Sequence, residues 1–178
     1  MAKRAFPLSQ VYQLLEPGPV TLVTTAFKNQ ANVMTMSWHM MMDFEPPIFA
    51  CIISDQNFTF ELLMKTGECV INIPSTELAE TVVKVGNVSG RKVDKFQKFH
   101  LAKERALSVD APLLMDCYAN LECKVIDQSM VKKYNLFIMQ VIKAWIRPRK
   151  KRMRMLHHCG RGVFVADGKI LKLPSKKK

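Results

Sequence analysis

Short apolar runs interrupted by turn residues recur along this chain, and they constrain its fold more than any other feature. Most of these runs are rich in β-branched residues or alternate with polar side chains, and proline, glycine or a polar turn ends each one. Such runs are typical of β-strands. We predict six strands: residues Val20–Phe27, Asn32–Trp38, Ile48–Ser54, Glu68–Ile73, Tyr118–Ile126 and Tyr134–Trp145.

Helical patterns are few and short. Residues Phe58–Lys65 predict a helix that stops at Gly67, and Ser75 predicts the cap of a second helix that runs to about Val85. A parallel sheet needs a crossover helix for nearly every strand, which this chain does not supply. The pattern therefore favours a mainly β fold, an antiparallel barrel with a few short helices, over a doubly wound sheet.

The net charge of +12 is confined to the end of the chain. Residues 1–142 carry 14 Lys or Arg and 14 Asp or Glu, whereas residues 143–178 carry 13 basic residues and one acid, Asp167. We predict one domain over residues 1–178 with a basic C-terminal extension from about residue 143. The dense stretch Lys143–Arg154 suits a solvated segment, a phosphate-rich partner or a patch that steers anions. Beyond it, Asp167-Gly168 between residues 163–166 and 169–173 predicts a type I′ hairpin.

Several classes of protein are disfavoured. The chain contains no apolar run of 18 residues, and its N-terminal sequence MAKRAFPLSQ lacks the apolar region of a signal peptide. We therefore expect a soluble cytoplasmic protein without a membrane partner. The five cysteines are odd in number and include no Cys-x-x-Cys, so we expect reduced thiols. No G-x-G-x-x-G, P-loop or G-x-S-x-G motif occurs, so a nucleotide cofactor would need a different cradle.

The segment NVMTMSW, residues 32–38, is the first candidate binding site. It interleaves polar side chains with soft or flat apolar ones: Asn32, Met34, Thr35, Met36, Ser37 and Trp38. A flavin ring needs this combination, because its faces are apolar while the nitrogen and oxygen atoms of its edges need hydrogen bonds. An ordinary amphipathic strand with its hydroxyls on the wet face has the same composition.

Two further segments carry groups that suit an anion. In SGRKVDKF, a glycine allows close backbone approach, while Ser89, Arg91 and Lys95 supply a hydroxyl and two cations for a phosphate. An exposed loop before a helix would have the same sequence. In SDQNFT, Ser54 and Thr59 lie where a buried strand leads into a helix, whose free N–H groups attract anions. Thr59 could instead be a simple helix cap.

Histidines offer weaker signals. In the sequence His157-His158-Cys159, adjacent side chains of an extended chain point to opposite faces, and no second ligand pair has zinc spacing, so we predict no metal site. His39 follows the NVMTMSW segment, where it is either a functional group or a structural histidine.

In order along the chain, four segments resemble the flavin reductase-like, flavoredoxin-type proteins, which have the FMN-binding split-barrel fold. The segments are NVMTMSW, EPPIFACIISDQNFTFELLMKTGECVINIP, ELAETVVKVGNVSGRKVDKF and APLLMDCYANLECKV. The likeness is collinear from about Gly18 to Trp145. It is specific because NVMTMSW and SGRKVDKF occur together, separated by a strand that ends in NIP.

This resemblance implies a Greek-key split β-barrel with a few short flanking helices, and a homodimer with FMN near the interface. Flavin contacts would fall on residues 32–38. Phosphate or ribityl contacts would come from Ser54, Thr59, Arg91 and Lys95, with Ser89 beside them, and Asn72 would face the ligand at the end of its strand. NADH or NADPH would donate hydride to FMN, which requires no catalytic side chain, so we assign none.

One departure from the family leaves the donor open. Many relatives carry a histidine in the strand where this chain has Tyr134. Flavin reductase activity with NAD(P)H therefore stands beside a flavin-binding electron carrier without a nicotinamide site. A nucleic-acid-binding protein that uses the basic extension is a third, less favoured hypothesis. The final electron acceptor, and any part that Tyr134 or His39 plays in donor binding, stay open.

Overall fold

A computed structural model describes residues 2–148 and 153–174. Four basic residues of the stretch Lys143–Arg154, residues 149–152, lie outside the described part of the chain, as do residues 175–178, so the three alternatives for that stretch stay open.

Strands dominate the secondary structure, as predicted. They are β1 (Arg4–Ala5), β2 (Thr21–Phe27), β3 (Gln30–Met36), β4 (His39–Phe44), β5 (Pro47–Ile52), β6 (Glu68–Ile73), β7 (Lys103–Glu104), β8 (Leu113–Leu114), β9 (Ala119–Asp127), β10 (Leu136–Ile146), β11 (Leu156–His158) and β12 (Phe164–Ala166). The helices are short: α1 (Tyr12–Leu15), α2 (Phe58–Thr66), α3 (Ala79–Gly86), α4 (Lys95–Lys98) and α5 (Val131–Tyr134), with 3₁₀ turns at Leu8–Gln10 and Thr76–Leu78.

One large antiparallel sheet organises the chain. Its strand order is β3-β2-β6-β9-β10-β5-β4, with β1 added beside β10. Every pairing in it is antiparallel, which confirms the predicted mainly β fold. In this order β3 and β4 are the end strands, so each leaves one edge unpaired among the described strands; the two-residue strand β1 pairs with β10 alone.

Two layers of apolar side chains cover the sheet. Inside the curved sheet, Val23, Phe49, Ile71 and Met139 pack with Leu63 of α2. On the outer side of β2 and β3, a second cluster joins α3 and α4 to Leu156 of β11. Helix α2 thus packs its buried side against the inner face of the sheet, whereas α3 covers β3 from outside.

The structure changes two predicted strands. Strand β3 ends at Met36 rather than Trp38, and a separate strand, β4, begins at His39. Tyr134 belongs to the short helix α5 rather than to a strand, because Asn135 adopts a left-handed conformation with φ 56° and redirects the chain into β10.

The predicted hairpin around Asp167-Gly168 is wrong. Strand β12 pairs instead with the preceding strand β11, around a turn in which Gly160, Arg161 and Gly162 all have positive φ. Asp167 is committed to other contacts: its carboxylate oxygens lie 2.7 Å from Nε2 of His157 and 3.3 Å from the backbone nitrogen of Met155. No strand follows it in the described residues up to 174.

The beginning of the predicted basic extension is part of the main sheet. Strand β10 continues to Ile146 and pairs with both β9 and β1 there. Of the five cysteines, only Cys159 is exposed and the other four are buried; all are free. Burial raises the pKa of the Cys117 thiol to about 12. None of the helices in residues 2–148 and 153–174 has the length and apolar character needed to cross a membrane.

Candidate functional site

A cavity of about 250 Å³, here called the α2 cavity, lies where β3 faces the start of α2. Three parts of the chain line it: β3, the first turn of α2 with the residues before it, and the loop between α3 and α4. The lining residues are Asn32, Met34, Gln56, Asn57, Phe58, Thr59, Gly86, Asn87, Val88, Ser89, Gly90 and Lys95. Five of the residues predicted from sequence are therefore brought together: Asn32, Met34, Thr59, Ser89 and Lys95.

Asn32 is the best-defined polar group of the α2 cavity. Its side chain is buried, and its Nδ2 donates to Oγ1 of Thr59 at 2.8 Å. Its Oδ1 accepts no hydrogen bond from any residue that the structure describes. A Cβ on Gly90 would lie 2.0 Å from this oxygen, so only glycine permits the observed approach. A buried oxygen without a partner costs free energy, which a hydrogen-bond donor on a ligand would recover.

The first turn of α2 adds a site for negative charge. Asn57 is the N-cap of this nine-residue helix, but its side chain caps none of the helix N–H groups. The N–H groups of Phe58 and Thr59, both in the cavity wall, therefore have no partner within the helix. Thr59 lies inside the helix and is not its cap. Ser54 precedes the cavity, and its Oγ accepts the backbone N–H of Gln56 at 3.2 Å.

Lys95 is the cation of the α2 cavity. Its ammonium donates to the carbonyl oxygens of Val33 and Val85 at 2.8 and 2.9 Å, so it joins β3 to the C-terminal turn of α3. The side chain is 4% exposed, and burial lowers its pKa to about 8. An ammonium has three donors, and two are used here, which leaves one for a ligand.

Arg91 lies at the rim of the α2 cavity. Its guanidinium forms an ion pair with Glu61 and donates to the carbonyl of Gln56 at 2.9 Å. The central carbon of the guanidinium lies 5.6 Å from the ring centroid of Phe58. Gln56 and Phe58 line the cavity, but Arg91 does not. Its charge is therefore close to the cavity and already partly compensated by a carboxylate.

The free edge of β3 continues from this cavity. Because the carbonyl of Val33 bonds Lys95 rather than β2, the backbone groups of alternate residues from Val33 onward point away from the sheet. Thr35 shares this alternation, and its Oγ1 donates to the carbonyl of Val82 in α3 at 2.6 Å. The edge thus offers backbone N–H groups beside α3.

A second cavity of about 270 Å³, here called the hairpin cavity, lies beyond Thr35. Its walls come from β3 with Ser37 after it, from α3 with Asn87 after it, from the residue before β2, and from the β11–β12 hairpin. The lining residues are Val20, Thr35, Ser37, Val82, Val83, Gly86, Asn87, His158, Gly162 and Phe164. Gly86 and Asn87 line both cavities, so the two adjoin. Thr35 and Ser37 were predicted from sequence. The hairpin residues were not predicted as binding residues, because the adjacent histidines of His157-His158-Cys159 suggest a metal motif rather than a flavin contact.

Three of the predicted residues lie away from both cavities. Met36 is buried in the barrel core, and the side chain of Trp38 is 69% exposed. Asn72 is enclosed between strands: its Nδ2 donates to the carbonyl of Leu22 at 2.8 Å, and its Oδ1 accepts from Leu114 N at 2.9 Å and from Asn120 Nδ2 at 2.6 Å. This network explains a buried asparagine without a ligand.

The two residues considered for donor binding differ in their surroundings. Nε2 of His39 lies 2.7 Å from the carbonyl of Pro19, and burial lowers the pKa of this histidine. Tyr134 is 50% exposed and lines neither cavity. Within residues 2–148 and 153–174, no group of three or more His, Cys, Asp and Glu side chains could hold a metal ion.

Comparison with known proteins places this chain in a family. The family model described as "Flavin reductase like domain" matches residues 14–165, most of the chain. An uncharacterised Escherichia coli (strain K12) protein, YddH, is 31% identical over 177 residues, which span 91% of this chain and 93% of YddH.

Solved structures share the fold. An FMN-binding domain of a flavin reductase-like enzyme from Shewanella baltica OS155 superposes with a TM-score of 0.90 at 27% identity, over 97% of this chain and 98% of that one. Flavoredoxin of Desulfovibrio vulgaris (Miyazaki F) gives a TM-score of 0.79 at 22% identity, over 89% and 91%, a likeness of fold alone. These likenesses confirm the predicted split-barrel fold and the resemblance drawn from the sequence motifs.

Proposed function

This chain belongs to the flavin reductase-like domain family, and on that premise we propose that it binds FMN, with the phosphate end in the α2 cavity and the ribityl chain along the free edge of β3. One observation carries the proposal: Oδ1 of Asn32, a residue of the cavity wall, is buried and unbonded within the described chain, and it packs against Gly90, where any side chain would collide with it. The adjoining wall supplies groups that suit a phosphate, namely the first turn of α2, Ser89 and Lys95.

The roles of the side chains follow from their donors and acceptors. Lys95 and the N–H groups at the start of α2 would hold the phosphate charge. Asn32 Oδ1 would accept a hydrogen bond from a ribityl hydroxyl. Arg91, at the rim, would strengthen phosphate binding if its guanidinium turned from Glu61 towards the ligand. When bound, FMN supplies hydride and electron transfer, and the protein binds and orients it.

We further propose that the protein is an oxidoreductase that passes electrons from NADH or NADPH through this cofactor. The Shewanella baltica protein is described as flavin reductase-like, which supports a reductase. Tyr134, which stands where many relatives carry a histidine and lines neither cavity, supports the alternative of an electron carrier without a nicotinamide site.

Two measurements test these proposals in order. Titration of FMN with the protein should quench flavin fluorescence to a saturating value, and no binding at micromolar protein would refute FMN binding. Anaerobic stopped-flow mixing of the loaded protein with NADH or NADPH should then give a reduction rate that saturates with donor concentration. A slow rate that rises linearly, for both donors, would contradict the reductase and favour the carrier.

We also propose a homodimer that covers the free edge at β4. Alternate side chains along this edge are apolar and largely exposed: Trp38, Met40, Met42 and Phe44. An exposed apolar edge strand is a liability unless another surface covers it. A second copy of this chain is the partner that the resemblance implies, and sedimentation equilibrium would give twice the chain mass of 20.4 kDa. A monomer at micromolar concentration would refute the dimer.

A further inference from the structure

The guanidinium of Arg91 is held by a carboxylate of the helix beside the α2 cavity. Its Nε donates to Oε1 of Glu61 at 3.1 Å, and its Nη2 donates to the same oxygen. Its Nη1 donates to the carbonyl of Gln56 at 2.9 Å. The side chains of Arg91 and Glu61 are 39% and 43% exposed, so solvent reaches this ion pair and screens it. An anion on a ligand could therefore replace the carboxylate with little loss of stability.

The backbone of Arg91 is anchored to the wall of the α2 cavity. The two preceding residues, Ser89 and Gly90, line the cavity, and Oγ of Ser89 accepts the backbone N–H of Arg91 at 3.3 Å. On the other side, the guanidinium lies near the ring of Phe58, which also lines the cavity. The positive charge of Arg91 therefore stays beside the cavity whichever acceptor its guanidinium binds.

The charges of the cavity wall do not neutralise a phosphate. Of the described residues that line the cavity, only Lys95 has a charged side chain. A phosphate monoester carries about 1.5 to 2 negative charges at neutral pH. The positive end of α2 adds only a partial charge. A bound phosphate would thus still attract a second cation, and Arg91 supplies one that already contacts two wall residues.

Glu61 opposes a bound phosphate in two ways. It lies in the first turn of α2, where the positive end of the helix stabilises its carboxylate as it would stabilise a phosphate. It also binds the guanidinium that would otherwise be available to the phosphate. In the unliganded protein this carboxylate therefore neutralises the same positive groups that a phosphate would neutralise in the complex.

We propose that Glu61 competes with the flavin phosphate for Arg91, so that FMN binds by replacing one anion with another and is readily released. This inference rests on the proposed function and deepens it, because it adds a residue that regulates the same site by weakening it. Glu61 acts through Arg91 and is a positioning residue. When the phosphate leaves, the carboxylate binds the guanidinium again, which favours release of the flavin.

The first test compares the dissociation constants of FMN and of riboflavin, which lacks the phosphate. Glu61→Gln keeps the size of the side chain but removes its charge. It should lower the dissociation constant of FMN about fivefold, the upper range for an exposed ion pair, and leave that of riboflavin unchanged. The matched control is Glu80→Gln, because Glu80 lies in the first turn of α3 and pairs with Lys84 at 3.1 Å. It should change neither constant by more than about twofold.

A second background separates competition for Arg91 from a general effect of charge. In Arg91→Met the carboxylate has no guanidinium to bind, so adding Glu61→Gln should change the FMN dissociation constant by less than about twofold. A carboxylate that merely repelled the phosphate would weaken binding equally in both backgrounds. An equal gain from Glu61→Gln with and without Arg91 would therefore overturn the inference.

Release kinetics give a readout that a change in stability alone would not move. After rapid dilution of the FMN complex, flavin fluorescence should recover about fivefold more slowly in Glu61→Gln than in wild type, since affinity differences among variants of one site lie mostly in dissociation. If wild type binds FMN and Glu61→Gln binds it equally or more weakly, the inference is wrong and FMN binding stands. If wild type itself binds no FMN, the proposed function fails and the inference fails with it.

Discussion

The charge state of Lys95 should control FMN affinity in alkaline solution. The pKa of this ammonium is about 8 in the unliganded protein, below its ordinary value of 10.5, because burial disfavours the charge. About nine-tenths of the molecules carry the charge at pH 7 and about one-tenth at pH 9. If phosphate binding requires the ammonium, the dissociation constant of FMN should rise about tenfold between these values, since the neutral form must first take up a proton.

The same shift predicts the opposite trend for stability without ligand. Because the folded protein holds this proton less tightly than the unfolded chain does, the unfolded chain binds more protons between pH 8 and 10.5. The contribution of Lys95 to the free energy of unfolding therefore increases as the pH rises through that window. Weakening of FMN binding over the same interval would thus not reflect a loss of the fold.

The assay is a fluorescence titration of FMN at several pH values with wild type, Lys95→Met and Lys92→Met. Lys95→Met should bind FMN at least tenfold more weakly at pH 7 and show no further loss up to pH 9. Lys92 lies on the loop just before α4 and is exposed outside the cavity, so its variant should keep the wild-type profile. Riboflavin, without a phosphate, should bind with no dependence on Lys95 charge.

Two results would refute this reasoning: an FMN affinity that is constant from pH 7 to 9 in wild type, or an equal pH dependence in Lys95→Met. The variant needs a folding control, because loss of the ammonium leaves the carbonyls of Val33 and Val85 unpaired, at a cost of about 1–3 kcal/mol each. Titrations should be run well below its measured Tm.

Three further predictions follow from single contacts. Gly90→Ala should weaken FMN binding at least tenfold, because its Cβ would meet Asn32 Oδ1, whereas Gly168→Ala, with open space around it, should have no effect; equal affinities in a titration would contradict this. The lowered pKa of His39 predicts that the free energy of unfolding falls as the pH drops below about 6.5, since the unfolded chain is protonated first; denaturant titrations should find a smaller fall in His39→Asn. Met40→Glu should shift the protein to monomers in sedimentation experiments, and an unchanged mass would exclude β4 from the dimer interface.

The parts of the fold that follow from local pattern were predictable from the sequence. Strand β6 begins and ends at the predicted residues, because Gly67 ends the helix before it and Pro74 follows it. Helix α2 matches within one residue, since Gly67 adopts the left-handed conformation, φ 65°, that ends a helix. In both cases the deciding residues are adjacent in the chain.

Features that depend on distant contacts were not predictable in the same way. Asp167-Gly168 has the composition of a tight hairpin turn, but the carboxylate of Asp167 contacts His157 of β11. Strand β12 therefore pairs with β11, which precedes it in the chain, and not with a strand that follows. Asn72 looked like a ligand-facing residue, yet its amide joins β6 to the neighbouring strand β2 and to Leu114. A polar residue in a motif has the same sequence whether its partner is a ligand or a backbone group.

The two free edges of the sheet explain why one small barrel can carry both a polar cleft and an apolar strip. Closing the sheet would have paired β3 with another strand and occupied the backbone groups that now face Lys95 and α3. At the opposite edge, β4 exposes alternate apolar side chains from Met40 to Phe44. Because the chain leaves both edges open, each needs a partner that strand pairing does not supply. In the arrangement that we propose, the flavin would cover the edge at β3 and a second copy of the chain would cover the edge at β4.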